Sequence, residues 1–287
     1  MGISLERYTK TFFLSNYFIA LCTACMILAT QLMNGLPLRF TPYLVFLTAS
    51  SFLLYNFHRY SFYMDFSAMK NLLASIKKLR IRKHEVFIYF CAVIISVSSF
   101  LFLESKLQLF LIPLMVLSLA YSIPVLKVGI KKLKLREIFF IKTPLLAIVW
   151  GVAITSVPIT EQNISPFSSF AILQLLCNCL FIFCLCIPFE LRDVQIDKMK
   201  KIKTLPVIIG NYNFIMIGIV FTVIQLVVHH LLFSDKLLVS LSLDLSALVA
   251  LAWIIIQDKS RGMYFYKFLV DGTMILRFLL IFTAVNL

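Results

Sequence analysis

The chain has 287 residues, 61% of them hydrophobic and 14% charged, with 28 Phe but only 8 Gly and 9 Pro, and its mean hydropathy is +0.96. An ordinary globular domain is about half apolar and about a quarter charged, so a soluble enzyme, a disordered chain and a secreted mini-protein are excluded. A net charge of +14 would suggest nucleic acid in a soluble protein; in a chain this apolar it first concerns topology, because Lys and Arg set membrane orientation.

Nine apolar segments follow one another at 11–33, 41–57, 86–104, 107–125, 137–157, 168–188, 212–233, 236–257 and 267–286. Each is near the length of about 20 residues that a helix needs to cross a bilayer. Arg7 and Lys10 precede the first, but its apolar stretch is too long for a signal peptide and no small-x-small cleavage site follows. With the N-terminus in the cytoplasm, the inside segments 1–10, 58–85, 126–136, 189–211 and 258–267 hold 22 of the 27 basic residues. The outside loops hold three, Arg39, Lys106 and Lys236, while Lys142 and Arg277 lie within spans. This asymmetry predicts an all-α integral membrane protein, a single domain over 1–287 built as a bundle of nine transmembrane helices. The N-terminus is then cytoplasmic and the C-terminus outside, in a multi-pass protein of the cell (inner) membrane.

Two inside loops, 58–85 and 189–211, are long and carry helix-like patterns. Met69, Leu72, Leu73, Ile76 and Leu79 fall on one helical face, with Lys70, Lys77, Lys78 and Arg80 elsewhere, which predicts an amphipathic cytoplasmic loop helix at the membrane surface. Six of the seven cysteines pair closely inside apolar runs (Cys22 and Cys25, Cys177 and Cys179, Cys184 and Cys186). No His stands at metal-ligand spacing from them, so they read as small buried residues.

The stretch 187–210 carries the chemistry. Glu190, Asp193 and Asp197 stand at i, i+3 and i+7, so one helical face bears three carboxylates at the inner end of the sixth span. Lys198, Lys200, Lys201 and Lys203 follow at once. Carboxylates so spaced repel one another unless a cation sits between them. A hard ion such as Mg²⁺ takes one or two carboxylates and completes its shell with water and phosphate oxygens. Lysines can meet the remaining charge of a phosphate. The pattern reads as a metal–diphosphate cradle; a solvated charged loop with internal ion pairs is the alternative.

Glu-x-Arg-Asp-x-x-x-Asp-x-x-x-x-x-x-Thr-Leu-Pro-x-x-x-Gly resembles the second aspartate-rich motif of the UbiA superfamily of intramembrane prenyltransferases. Asp193 and Asp197 match its Asp pair, Glu190 the acidic position before it, and Thr204, Leu205, Pro206 and Gly210 the segment after it. Tyr121-Ser122-Ile123-Pro124, followed by Lys127, Lys131, Lys132 and Lys134, resembles the Tyr-Ser-x-Pro and basic loop after the family's fourth helix. Asp271-Gly272 is similar to the start of its ninth. The resemblance covers essentially the whole chain. It implies a nine-helix fold and transfer of an isoprenyl group from an isoprenyl diphosphate to a lipophilic acceptor, aromatic or a quinone precursor, with Mg²⁺ assisting. Membrane lipid is the surrounding partner and nucleic acid is not one. The implied metal ligands are Asn56, Glu190, Asp193 and Asp197, with Asp193 and Asp197 catalytic. The implied diphosphate-binding residues are Arg59, Lys127, Arg192, Lys198, Lys201 and Lys203.

The first motif departs from the family. Its pattern is Asn-x-x-x-Asp-x-x-x-Asp, and Asn56 matches, but Tyr60 and Met64 stand at the aspartate positions. Asp65 is one residue late, which on a continuous helix turns it about 100° away. Either Asp65 reaches the site through an irregular turn, with His58 and Arg59 helping to neutralise the diphosphate, or one metal is lost and transfer is impaired. A terpene cyclase on the same fold and a lipid-binding scaffold are the competing readings. A transporter is not supported, since no matched pair of Gly- or Pro-broken helices appears.

Intramembrane polar residues are costly and tend to be functional. Asn16, Gln174, Asn178, Gln225, Asp244 and Arg277 qualify. Gln174 and Asn178 share a face above the acidic motif, as acceptor-side groups or as an interhelical hydrogen bond. Asp244 and Arg277 are placed to pair across helices, and His229 and His230 read as interfacial.

Overall fold

The computed structural model describes residues 16–61, 64, 71, 83–128, 131–138, 140–161, 164–258 and 260–287. In chain order the helices are α1 (Tyr17–Met33), α2 (Pro42–Ser61), α3 (Lys83–Leu101), α4 (Ser105–Ala120), α5 (Lys142–Glu161), α6 (Ser169–Met199), α7 (Leu205–Ile209), α8 (Asn211–Leu232), α9 (Leu237–Ile256) and α10 (Asp271–Asn286). A π-helix, Phe265–Val270, leads directly into α10. Every apolar segment of the sequence is overlain by one of these helices. Five of them, α3, α6, α8, α9 and the stretch Phe265–Asn286, are long and apolar enough to cross a membrane, and three shorter apolar helices accompany them among the described residues. The chain is a multi-pass helical membrane protein. The predicted amphipathic helix around Met69–Arg80 lies outside the described residues, apart from Asn71.

Between α4 and α5 the basic loop is not helical. Strands β1 (Leu126–Val128) and β2 (Lys131–Leu133) pair antiparallel, Lys127 opposite Lys132, and a 3₁₀ turn, Leu135–Glu137, follows. A stretch this short is marginal as a helix of its own.

The chain divides into two compact units: residues 1–20 with 40–138, and residues 21–39 with 139–287. In the first, α2 packs on α3. Phe52, Ala20 and Ala92 are buried together, with Tyr17, Leu53, Ile88 and Tyr89 packed around them. Tyr17 stacks on Phe52 at 5.0 Å, and Ser50 and Ser96 share a hydrogen bond of 2.9 Å between the helices. In the second, α6 is the central element, packed against α5, α8 and α9, while α10 packs on α9. One of its cores gathers Ala29, Leu32, Met33, Phe233, Val239, Leu243 and Ile281.

Helix α6 has 31 residues, about 46 Å at 1.5 Å per residue. That exceeds a hydrocarbon core of about 30 Å, so the apolar stretch 168–188 is followed by three helical turns that carry Glu190, Asp193 and Asp197. Ser168 caps its start by accepting from the Ala171 amide at 3.2 Å. Its end is a Schellman turn: Lys201 N–H donates to Lys198 O at 3.1 Å and Ile202 N–H to Asp197 O at 2.9 Å, with Lys201 at φ 57°. Glycine is the usual residue there because a Cβ is strained in the left-handed region. Lys201→Gly should therefore raise the thermal unfolding midpoint in detergent, by an amount corresponding to up to about 1 kcal/mol.

Close approach of α5 to α6 depends on Gly151. A Cβ there would overlap Cys179 Sγ and lie 3.1 Å from the Cys179 amide nitrogen. Gly151→Ala should lower the same midpoint, by an amount corresponding to about 1–3 kcal/mol, because the obstacle includes backbone.

Candidate functional site

The acidic stripe at the end of α6 forms a candidate site within the larger unit. Glu190 and Asp197 are buried, 6% exposed each, and both bind one cation. Lys142 Nζ, from the first residue of α5, lies 3.1 Å from Glu190 Oε1 and 3.3 Å from Asp197 Oδ2. The like charges that the sequence pattern leaves unbalanced are thus bridged from a neighbouring helix. Lys142 was missed as a site residue, although a lone lysine at the edge of an apolar span is a signal in itself. Asp193 turns instead to its neighbour Arg192, which donates through Nε at 2.8 Å and Nη2 at 3.2 Å. The Arg192 guanidinium also lies over the Tyr266 ring at 4.7 Å and the Phe189 ring at 5.4 Å. Tyr266 belongs to the π-helix and donates to Asp258 O at 3.0 Å, so that irregular turn fixes one face of Arg192. π-turns of this kind recur at functional sites. Asp271 begins α10 just beyond, and its backbone oxygen accepts from Cys22 Sγ at 3.3 Å.

Lys198, Lys201 and Lys203 are exposed. Thr204 is buried, and its Oγ1 has no hydrogen-bond partner among the described residues.

The first-motif residues lie in the other unit. Asn56 Oδ1 accepts from Asn16 Nδ2 at 3.3 Å and from Tyr89 O–H at 3.3 Å, while its Nδ2 donates to Phe52 O at 2.8 Å. Tyr60 and Tyr89 share a hydrogen bond of 3.3 Å. Since Tyr89 gives its proton to Asn56, Tyr60 donates to Tyr89. The Arg59 guanidinium sits 5.5 Å from the Tyr60 ring centre. A neutral network therefore occupies the place where the family pattern would put its first aspartate. Met64 is partly buried; Asp65 lies outside the described residues.

His58 does not act as a cation here. It is hydrogen-bonded through Nδ1 to Ser122 Oγ, and its ring lies 5.3 Å from that of Tyr121. Burial, reinforced by Arg136, pushes its pKa down to about 4, so the imidazole is neutral near pH 7. Arg136 is itself buried; desolvation lowers its pKa, and Tyr121 and Glu137 act against that. Lys134 Nζ donates to Ser61 O at 3.1 Å, which ties the basic loop to the end of α2. Lys127 is placed by its backbone in β1.

The donor set can be tested against a divalent ion. Among the described residues no three His, Cys, Asp or Glu side chains converge as a preformed metal centre. Glu190 and Asp197 nevertheless converge on the Lys142 ammonium, and Glu190 Oε2 is buried with no hydrogen-bond partner among the described residues. One or two carboxylates are what Mg²⁺ takes from a protein when phosphate and water supply the rest. The set fits that mode. Asn56 fits it less well, because its oxygen already accepts two hydrogen bonds.

Two expectations about the intramembrane polar residues change. Asp244 binds His229 Nδ1 and His230 Nε2, each at 2.9 Å, rather than Arg277. His229 is fully buried rather than interfacial. Asn178 donates to Thr155 Oγ1 at 2.9 Å, the interhelical bond that was one of its two readings.

No protein-family model matches the chain, and no curated protein sequence does. Its structure is similar to the apo structure of a UbiA homolog from Aeropyrum pernix K1, with a TM-score of 0.62 over 93% of this chain and 96% of that one, at 12% sequence identity. The protein has the fold of a UbiA homolog.

Proposed function

We propose that the chain is a membrane-embedded prenyltransferase of the UbiA superfamily, moving an isoprenyl group from an isoprenyl diphosphate to a lipophilic acceptor with Mg²⁺ assisting. The observation that carries this is the convergence of Glu190 and Asp197 on the Lys142 ammonium at 3.1 and 3.3 Å, beside exposed lysines, on a fold shared with a UbiA homolog. The nine apolar segments of the sequence and their charge asymmetry favour nine spans with this end of α6 on the cytoplasmic side.

Glu190, Asp193 and Asp197 would hold the ion, which when bound stabilises negative charge on the departing diphosphate. Lys142 holds the two buried carboxylates in place. Lys198, Lys201 and Lys203 meet the outer phosphate oxygens, and Arg192, held flat by Tyr266, offers a planar pair of donors. The allylic C–O bond breaks with both electrons leaving on pyrophosphate. The acceptor's electron pair then closes on the allylic carbon, and the acceptor loses a proton. Aromatic faces shield the cation from water.

A second reading, a family member with impaired transfer that still binds lipid, is favoured by the Tyr60–Tyr89–Asn56 network where an aspartate would stand. A cyclase needs no acceptor. Incubation of the full chain in nanodiscs with tritiated geranylgeranyl diphosphate, with and without membrane lipid extract, separates these readings. Label in a lipid product only when extract is present supports transfer. A cyclised hydrocarbon without extract indicates the cyclase, and no consumption of donor indicates the impaired reading.

A further inference from the structure

A second polar cluster lies inside the larger unit, away from the acidic stripe. Arg277 of α10 is 0% exposed, as are Gln174 of α6 and Gln225 and His229 of α8. Its guanidinium covers the Phe181 ring at 4.2 Å and lies in electrostatic range of Cys177 and His229. Phe181 precedes Glu190 by nine residues on α6, about 14 Å along the helix. Gln174, Asn178 and Phe181 stand at i, i+4 and i+7 and so share a face, as do Gln225 and His229 at i, i+4.

None of the three Arg277 nitrogens has a hydrogen-bond partner among the described residues. Gln174 Nε2 and Oε1, Asn178 Oδ1, Gln225 Oε1 and His229 Nε2 are likewise without one. Asp244 is not the counter-ion, because both its oxygens are taken by His229 and His230. A fully buried guanidinium with five N–H groups unpaired is among the most costly arrangements inside a membrane protein. α6 and α8 carry the acceptors Gln174 Oε1, Asn178 Oδ1 and Gln225 Oε1, and none of them bonds it.

We propose that this cluster is a binding site for a lipophilic monocarboxylate, a single-chain fatty-acid-like anion whose head group docks on Arg277 with Gln174 and Gln225 beside it. The fork of a guanidinium matches two coplanar oxygens. A phosphate would bring a second negative charge, and the cluster holds one Arg and no Lys among the described residues, with Asp244 close by to repel the excess. The apolar remainder of the ligand suits Phe181 and the surrounding bundle.

The test is photolabelling of the full chain in detergent with a diazirine analogue of oleate, with no isoprenyl diphosphate present, so the outcome is independent of the transfer reaction. Labelled peptides should map to the α6 and α10 residues around Cys177–Phe181 and Arg277. Oleate should compete and oleyl alcohol should not. Arg277→Met should reduce labelling at least ten-fold, with Arg277→Lys retaining part of it. Should Arg277→Met fail to fold, Gln174→Leu should still weaken labelling several-fold. Equal competition by oleyl alcohol, or undiminished labelling of a folded Arg277→Met protein, would overturn the proposal, as would labelling confined to lipid-facing residues.

Discussion

Lys142→Met should be among the most destabilising single substitutions in the chain, at about 3–5 kcal/mol, because it leaves two buried carboxylates facing one another without a cation. The Lys142 side chain is 20% exposed, and those of Glu190 and Asp197 are 8% and 9%, so water screens little of the repulsion. Lys142 also joins the start of α5 to the far end of α6, and losing it releases the turns that carry the whole acidic stripe. The effect is readable as a lowered midpoint of unfolding in mixed micelles. Combining Lys142→Met with Glu190→Gln should recover a large part of the loss, since it removes one of the two unbalanced charges. A cycle of the two single variants and the double should show strong coupling. Additive losses would mean that the lysine merely packs.

Asp193→Ala with Asp197→Ala should lower the rate of diphosphate release by at least about 10³-fold. Removing a single group that stabilises developing charge in a water-poor site typically costs 10²–10³, and groups that act as a unit do not add. The single variants have different meanings. Asp197→Ala also strips Lys142 of a partner, so part of its loss is structural. Asp193→Ala leaves the Lys142 bridge intact and frees only Arg192, so a rate loss there without a change in unfolding midpoint belongs to the chemistry.

Much of this arrangement was legible in the residues. The nine apolar segments each overlap a helix because length and hydropathy are local properties. The stripe Glu190–Asp193–Asp197 was readable because helical spacing fixes which side chains share a face. The partner of that stripe was not. Lys142 lies 48 residues before Glu190, and nothing in its neighbourhood says which helix it will meet. The sequence pattern left metal and internal ion pair as alternatives, and the structure shows an ion pair from outside the motif. The hairpin in the basic loop is too short to leave a periodic signal. Tyr89 carried none either, since a tyrosine in an apolar helix is ordinary until Asn56 and Tyr60 are seen beside it. The pairing of Asp244 with His229 and His230 instead of Arg277 likewise depends on how α8, α9 and α10 rotate against one another, which composition does not encode.

The central claim, that the acidic end of α6 ionises an isoprenyl diphosphate, is tested most directly by pyrophosphate release. The purified full chain in nanodiscs would be given geranyl to geranylgeranyl diphosphate with Mg²⁺, with and without membrane lipid extract, beside a folded Asp193→Ala, Asp197→Ala protein. Release by the unaltered chain that the double variant abolishes is the predicted result. No release from any donor, or equal release from both proteins, would contradict it.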